Sequence, residues 1–315
     1  MTVHGIHHVT AIAADPQENL DFYVGLLGMR LVKRSVNQDD PGTYHFFFAD
    51  GTGHPGTDLT FFPWPHLAPG RPGTGLTTEV ALAVPAETLP YWSERLAAVG
   101  VATDAPEERF GERVLPFSDP HGLRLVLAET GDAREFTPWD ESPVPPAQQI
   151  RGLHAVRLTE PAREATEGVL RDVLGFTHVA EDAGWQRYGV EGGGSGKILE
   201  LRVAPDTPRG RMGTGTVHHV AFRVPDDATQ AGVRAKAEAA SLRPTPVIDR
   251  FWFRSVYFLE PGGALFELAT DGPGFAVDED ARHLGERLIL PPWLEPNRAG
   301  IEAALPPVAA PRVRA

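Results

Sequence analysis

Short runs in which apolar and polar residues alternate recur along the chain and predict β-strands. The segments GTGLTTEVALAVP at 73–85 and GTGTVHHVAFRVP at 213–225 align without gaps, and both show the alternation of a strand. Two further segments, ENLDFYVGLLG at 18–28 and ATEGVLRDVLG at 165–175, predict helices that follow strands. The pattern therefore predicts a fold that mixes strands and helices.

These predicted elements belong to an internal repeat. GIHHVTAIAADP at 5–16 matches GLHAVRLTEP at 152–161, and the same offset superposes residues 27–29 on residues 174–176. SDPHGLRLVLAET at 118–130 and LEPGGALFELAT at 259–270 are each a Pro/Gly turn followed by an apolar strand. Such self-similarity indicates a fold built from equivalent units. The repeat predicts four modules with the order βαβββ, at 4–65, 73–130, 151–204 and 213–271.

The modules predict an α+β protein in which four βαβββ units are paired into two domains. A proline-rich polar stretch between the second and third modules is the predicted linker. The apolar residues of the C-terminal segment predict that it packs on the body. The predicted segments are an N-terminal domain at 1–135 with the first two modules, a linker at 136–150, a C-terminal domain at 151–271 with the last two, and a tail at 272–315.

Histidine pairs distinguish two of the four modules. Module 1 has His7-His8 and module 4 has His218-His219 in the equivalent strand, whereas modules 2 and 3 have no such pair. Because a shared scaffold does not require these residues, they call for a functional explanation. Side chains alternate between the faces of a strand, so only one histidine of each pair is expected to point at a common ion. The alternation leaves open which one.

A carboxylate in an apolar strand completes the candidate site. Module 4 has Glu267 within ALFELAT, where module 2 has Val126, and the equivalent position of module 1 falls near Thr60. A buried carboxylate requires a cationic partner. Two imidazoles and one carboxylate form the facial triad of non-haem Fe(II) oxygenases, which leaves coordination positions open. Mn(II) and a catalytic zinc ion accept the same ligands.

Composition narrows the classes of function. The formal net charge is −13, from 29 Lys+Arg against 42 Asp+Glu, and no basic cluster could bind phosphates, which argues against nucleic acid as a partner. The chain has no cysteine, so a metal must bind to His, Asp or Glu. Neither a secretory signal nor an apolar run long enough to span a membrane is present. We expect a cytoplasmic protein with no membrane partner.

Several longer motifs resemble one enzyme family. These motifs are VNQDDPGTYHFFFADGTGHPGTDLTFFPWP at 36–65, GIHHVTAI at 5–12, HHVAFRV at 218–224, FRSVYFLEPGGALFELATDGPGF at 253–275 and LGERLILPPWLEP at 284–296. They resemble the ring-cleaving dioxygenases that open para-hydroquinones. That family belongs to the vicinal-oxygen-chelate superfamily, which also holds glyoxalase I, bleomycin-resistance proteins and extradiol dioxygenases.

The resemblance implies a fold, a cofactor and a set of site residues. It implies two vicinal-oxygen-chelate domains, a metal held by His8, His219 and Glu267, and a reaction that uses O₂ as co-substrate on a small aromatic substrate. Fe(II) is the implied cofactor, with Mn(II) as the alternative. The implied catalytic residues around the metal are His7, Thr10, His218, Arg250 and Tyr257. Tyr257 and Arg250 are expected to orient or polarise a substrate oxygen.

Other functions on this scaffold remain open from the sequence. They are extradiol cleavage of a catechol, a metal-dependent isomerase or lyase reaction of the glyoxalase kind, and binding of a small molecule without turnover. A homo-oligomer is compatible with the sequence, which does not fix the oligomeric state. The remaining histidines have no partner in the repeat, and we expect ordinary surface or core roles for His45, His54, His66, His121, His178 and His283.

Overall fold

The structure is a computed structural model, and it describes residues 1–132 and 134–313. Sixteen strands occur in these residues, and each of the four modules contributes four of them. The strands of modules 1 and 2 are β1 Ile6–Ala13, β2 Arg30–Asn37, β3 Asp40–Ala49, β4 Asp58–Pro63, β5 Leu76–Pro85, β6 Glu107–Arg109, β7 Glu112–Ser118 and β8 Arg124–Thr130. Those of modules 3 and 4 are β9 Gly152–Glu160, β10 Thr177–Asp182, β11 Trp185–Gly189, β12 Ile198–Val203, β13 Val217–Val224, β14 Ile248–Asp249, β15 Arg254–Leu259 and β16 Leu265–Thr270.

One helix follows the first strand of each module, so the predicted order βαβββ is confirmed. The helices are α1 Pro16–Leu20, continued by the π-helical turns Asp21–Leu26, α2 Leu89–Ala98, α3 Glu164–Gly168, continued by Val169–Leu174, α4 Asp227–Ala239 and, in the tail, α5 Arg298–Ala304. Gly175 ends the third of them with a φ of +88°, a left-handed conformation that favours glycine. No helix in the described parts of the chain is both long and apolar enough to cross a membrane.

The strands form two mixed eight-stranded sheets whose composition differs from the predicted pairing of modules. The first sheet has the order β14-β15-β16-β13-β1-β4-β3-β2 and therefore joins module 4 to module 1. The second has the order β10-β11-β12-β9-β5-β8-β7-β6 and joins module 3 to module 2. The expected domains at 1–135 and 151–271 are thus not separate sheets. Equivalent modules present equivalent strand edges, so the repeat does not specify which edges form hydrogen bonds.

The two faces of the first sheet have different neighbours. Val9, Phe61 and Phe266 point into a continuous apolar core that also includes residues of the second sheet. On the other face, Phe47 and Ala221 belong to a separate apolar cluster that includes residues of the tail. Since alternate residues of a strand share a face, the polar residues next to those core positions are directed at this second face.

The C-terminal tail lies across the body of the protein. Phe275, Leu284, Leu290 and Ile301 are buried, and strand β2 forms an isolated bridge with the tail at Leu288. Residues 314–315 of the expected tail lie outside the described residues. The tail therefore covers the first sheet at the strand furthest from module 4.

Candidate metal centre

Three adjacent strands of the first sheet bring the predicted metal ligands together. His8 lies on β1, His219 on β13 and Glu267 on β16, and all three side chains are buried on the same face. Ala221 is the register partner of both His8 and Glu267, so the smallest chiral side chain lies between them. A larger side chain at Ala221 would fill the space in which the imidazole and the carboxylate meet.

The three ligand atoms converge at a common point. His8 Nε2 lies 3.2 Å from His219 Nε2 and 3.3 Å from Glu267 Oε2, and His219 Nε2 lies 2.9 Å from the same oxygen. Ligands about 2.1 Å from a metal ion and at right angles are about 3 Å apart, which matches this triangle. No hydrogen-bond donor of the described residues is directed at Glu267 Oε2. The donor set therefore fits a divalent cation.

The electrostatics of the triangle keep its carboxylate charged. Burial acts to raise the pKa of Glu267, but the imidazoles of His8 and His219 outweigh it and hold that pKa well below the ordinary value. Burial also lowers the pKa of His219. Both shifts favour the anionic carboxylate and the neutral imidazole, which are the forms that bind a metal.

Comparison with known proteins places the chain in a family. The model of the Glyoxalase/Bleomycin resistance protein/Dioxygenase superfamily matches residues 5–127. A Bacillus subtilis (strain 168) protein assigned as ring-cleaving dioxygenase MhqA is 44% identical over 98% of this chain and 100% of its own length. The chlorohydroquinone/hydroquinone 1,2-dioxygenase of Sphingobium indicum is 34% identical over 93% of each chain. This chain belongs to the ring-cleaving dioxygenases of that superfamily.

Solved structures confirm the predicted fold class. The crystal structure of a Bacillus subtilis protein assigned as a dioxygenase superposes with a TM-score of 0.94, at 41% identity over 99% of both chains. Glyoxalase I from Zea mays superposes with a TM-score of 0.64 at 16% identity, over 85% of this chain and 92% of that one, and so shares the fold. Four βαβββ modules in two vicinal-oxygen-chelate units are therefore the architecture of this dioxygenase.

A β-bulge in each of the two strands brings the first histidine of the pair beside the predicted ligand that follows it. The register between β1 and β13 shifts at His7 and again at His218, so each is an extra residue in its strand. His7 Nδ1 lies 2.9 Å from His8 Nδ1, and His218 Nδ1 lies 2.8 Å from His219 Nδ1. The two pairs have the same geometry on either side of the centre.

These outer histidines remain neutral. Burial, with the neighbouring His8, lowers the pKa of His7 to about 3, and burial, with His219, lowers the pKa of His218 to about 3. A histidine that binds a metal through Nε2 carries its proton on Nδ1. The Nδ1 atoms of His7 and His218 can accept those protons in hydrogen bonds and so fix the orientation of the inner imidazoles.

Ser255 is a site residue that the sequence analysis did not single out. Its Oγ donates a hydrogen bond of 2.5 Å to Glu267 Oε1, which leaves Oε2 as the oxygen that faces His8 and His219. Ser255 is fully buried on β15. In the sequence, the serine before the apolar residues of RSVYFL could have indicated a site residue. Its partner is identified by the pairing of β15 with β16.

A small aromatic cavity opens onto the triangle. Phe47, Phe62, Trp252 and Phe253 line it together with His8 and His219. The centre of a water molecule can occupy about 40 Å³ of this space, which suits a compact ligand.

Arg250 and Tyr257 lie in the wall of the cavity, as the family resemblance implies. The Tyr257 ring centroid is 5.6 Å from that of His219, and the Arg250 guanidinium lies 5.7 Å from the Tyr257 ring. Burial and the nearby Glu267 raise the pKa of Tyr257 above its ordinary value. Arg250 also pairs with Asp39, with Nη2 and Oδ2 2.8 Å apart. This wall therefore offers a neutral hydroxyl and a permanent positive charge.

Thr10 connects to a histidine that the sequence analysis left as ordinary. Thr10 Oγ1 lies 2.7 Å from Thr60 Oγ1, which in turn lies 3.0 Å from His45 Nε2. His45 lines the cavity together with the candidate ligands. The repeat could not identify it, since no other module has a histidine at this position of its third strand.

Proposed function

We propose that this protein is a non-haem Fe(II)-dependent dioxygenase that cleaves the ring of a hydroquinone, or of a substituted hydroquinone, with O₂. The observation that carries the proposal is the convergence of His8 Nε2, His219 Nε2 and Glu267 Oε2 at one end of an aromatic cavity. Two imidazoles with one carboxylate are the ligand set of non-haem Fe(II) oxygenases, and Mn(II) accepts the same ligands. The 34% identical hydroquinone 1,2-dioxygenase supports the substrate class.

The proposed ligands leave part of the coordination sphere for substrates. In module 1, Thr60 lies where module 4 has Glu267, and Thr60 is hydrogen-bonded to Thr10 and His45. Fe(II) bound to the triad would supply coordination positions for a ring oxygen and for O₂, and electron transfer between them. His7 and His218 would hold the liganding imidazoles in the tautomer that presents Nε2.

The cavity wall would orient the ring. The neutral Tyr257 hydroxyl is a hydrogen-bond donor beside Glu267, and Arg250 is a fixed positive charge next to it. Together they would bind a deprotonated ring oxygen and stabilise negative charge that develops on the ring during oxidation. The aromatic side chains would pack against the ring faces and exclude water.

Oxygen uptake by protein loaded anaerobically with Fe(II) tests the proposal. Hydroquinone, methylhydroquinone, chlorohydroquinone and catechol are supplied in turn, with Mn(II)- and Zn(II)-loaded protein as controls. We expect Fe(II)-dependent uptake of one O₂ per para-hydroquinone, and ¹⁸O₂ should place two labelled atoms in the ring-opened product. Absence of uptake with every ring by protein that contains iron would contradict the proposal, and uptake with catechol alone would indicate an extradiol enzyme.

A further inference from the structure

His45 has a counterpart in the other half of the metal centre. In module 1, the register of β3 with β4 places Thr60 opposite Phe47. In module 4, the register of β15 with β16 places Glu267 opposite Tyr257 in the same way. By the same spacing, His45 of module 1 corresponds to Ser255 of module 4. Ser255 is hydrogen-bonded to Glu267, and His45 is hydrogen-bonded to Thr60. Module 1 therefore has an imidazole where module 4 has a residue that orients a candidate metal ligand.

The position of His45 is fixed on three sides. Its ring centroid lies 3.8 Å from that of Phe47 and 4.4 Å from that of Phe62, and its Nε2 is hydrogen-bonded to Thr60. Among the described residues the hydrogen bond of this ring joins Nε2 to Thr60 and leaves Nδ1 free of it, and the side chain lines the cavity. An imidazole held in this way has one nitrogen left for a ligand.

The charge state of His45 suits a hydroxyl group. Burial, followed by the effect of His8 and His219, lowers the pKa of His45 well below its ordinary value, so the ring is neutral. A neutral imidazole offers either a donor or an acceptor at Nδ1, and a phenolic hydroxyl can complement both. His45 is not part of the group of side chains that can share the metal, so its partner would be another part of the substrate.

We propose that His45 Nδ1 hydrogen-bonds the ring hydroxyl remote from the metal and thereby selects para-diols over ortho-diols; this inference rests on the proposed function. An ortho-diol has both oxygens beside the ion, whereas a para-diol has its second oxygen across the ring. His45 lies between Phe47 and Phe62 in a wall that also contains the polar residues Asn37, Gln38 and Asp39. A site that hydrogen-bonds a substrate hydroxyl discriminates against analogues that lack it.

Calorimetric titration of anaerobic Fe(II)-loaded protein with hydroquinone and with 4-methylphenol tests the contact. The two rings have similar size and differ in the hydroxyl at the para position. We expect the wild-type protein to bind hydroquinone about 3- to 10-fold more tightly, the ratio that one hydrogen bond provides. His45→Phe should reduce this ratio to about one and weaken the preference for hydroquinone over catechol, with iron content unchanged. His178→Phe, on β10 of the other sheet, is the matched control and should keep the wild-type ratio.

A second variant separates hydrogen bonding from packing. Thr60→Val keeps the shape of the side chain but removes the hydroxyl that orients His45, and it should lower the same ratio in a protein that still binds iron. Equal weakening of both ligands by His45→Phe, or an unchanged ratio in both variants, would overturn the role of His45. Failure of wild-type protein to bind any of these rings would instead contradict the proposed function, and this inference with it.

Discussion

At the scale of single residues, two of the three candidate ligands lie where the second sheet has apolar residues. Glu267 replaces the Val126 of module 2, and His8 replaces the Ala155 of module 3. A buried charge at such a position is unfavourable unless an opposite charge lies beside it. The ionised Glu267 is held among imidazoles instead of apolar groups, and we propose that a metal ion compensates it fully.

Removal of one ligand should abolish stoichiometric metal binding. His8→Ala, His219→Ala and Glu267→Ala each leave only two ligands, and we expect more than about a 100-fold loss of Fe(II) affinity, since even changes beyond the ligands cost about 10- to 100-fold. Elemental analysis after anaerobic loading and desalting measures the effect. His178→Ala, remote from the centre, should bind iron as the wild type does. A ligand variant that kept one iron per chain would show that the ligand was misassigned.

Tyr257→Phe should separate turnover from metal binding. The substitution removes one hydroxyl from the cavity wall and leaves the ligand triangle intact, so iron content should not change. If this hydroxyl stabilises charge on the reacting ring, kcat should fall by about 100-fold with a smaller change in KM. Tyr91→Phe, on helix α2, provides the control. Unchanged turnover in Tyr257→Phe would remove this hydroxyl from the mechanism.

Glu160 should make folding stability depend on pH. Its carboxyl is buried, and neither oxygen accepts a hydrogen bond of normal geometry from the described residues. Burial, with the neighbouring Glu260, raises its pKa from the ordinary 4.5 to about 8. Between these values the unfolded chain releases this proton and the folded protein keeps it, so stability falls as pH rises through this window and levels off above it.

The variant Glu160→Gln removes this titration. At pH 8 the free energy of unfolding of this variant should exceed that of the wild type by about 1–3 kcal/mol, so the variant is the more stable protein. At pH 4.5 the difference should disappear. Denaturant unfolding at the two pH values measures both, with the exposed Glu94→Gln as control. An equal difference at both pH values would show that the carboxyl of Glu160 is ionised in the folded protein throughout.

At the scale of elements, the tail is held to the first sheet by a buried lysine. Lys33 of β2 is completely buried, and its Nζ donates to Phe275 O at 3.0 Å, to Asp278 Oδ1 at 2.8 Å and to Glu279. Asp278 also accepts a hydrogen bond from the indole of Trp252, a cavity residue. The tail thus has a direct connection to the wall of the proposed active site.

Lys33→Met should therefore destabilise the protein. The substitution leaves two carboxylates without their buried cation, and the loss of one partner of a buried ion pair costs about 3–5 kcal/mol. Chemical denaturation measures the free energy of unfolding. Arg282→Met, which breaks an exposed pair with Asp280, should have no measurable effect. Wild-type stability of Lys33→Met would show that this buried network does not anchor the tail.

At the scale of the whole molecule, the two sheets have equivalent strands but different chemistry at their centres. In the second sheet, Glu79, Ala155 and Val126 occupy the positions equivalent to the candidate ligands. Around them lies a network of arginine–glutamate pairs. Its contacts are Arg109–Glu79 at 2.6 Å, Arg157–Glu200 at 2.5 Å, Arg187–Glu112 at 2.7 Å and Arg187–Glu200 at 2.6 Å. The arginines already compensate these carboxylates.

The protein should consequently bind one divalent ion per chain. Titration of metal-free protein with Fe(II) or Mn(II) under anaerobic conditions should reach a plateau at one equivalent, because His8, His219 and Glu267 are the one group among the described residues whose ligand atoms converge on a common point. Glu267→Ala should reduce this plateau to zero, and Glu79→Gln should leave it at one. A plateau at two equivalents would contradict the difference between the sheets.

The repeat made much of the fold and part of the site predictable. It gave the four βαβββ modules, and a comparison of the modules identified the histidine pairs and Glu267 as residues that the scaffold does not require. The sequence did not identify His45 and Ser255 as site residues, because they reach the site through hydrogen bonds to Thr60 and Glu267 on neighbouring strands. Contacts of this kind depend on register, which the alternation of a single strand does not specify.

The sequence by itself determined the strand and helix order, the candidate ligand types and the exclusion of thiolate ligation, because these depend on composition and local periodicity. Only the tertiary structure decided that module 1 pairs with module 4, and that bulges direct His7 and His218 at the inner histidines. The physical reason is that equivalent modules have equivalent edges. The choice among them rests on hydrogen bonds between residues more than 200 positions apart, for which a local pattern carries no signal.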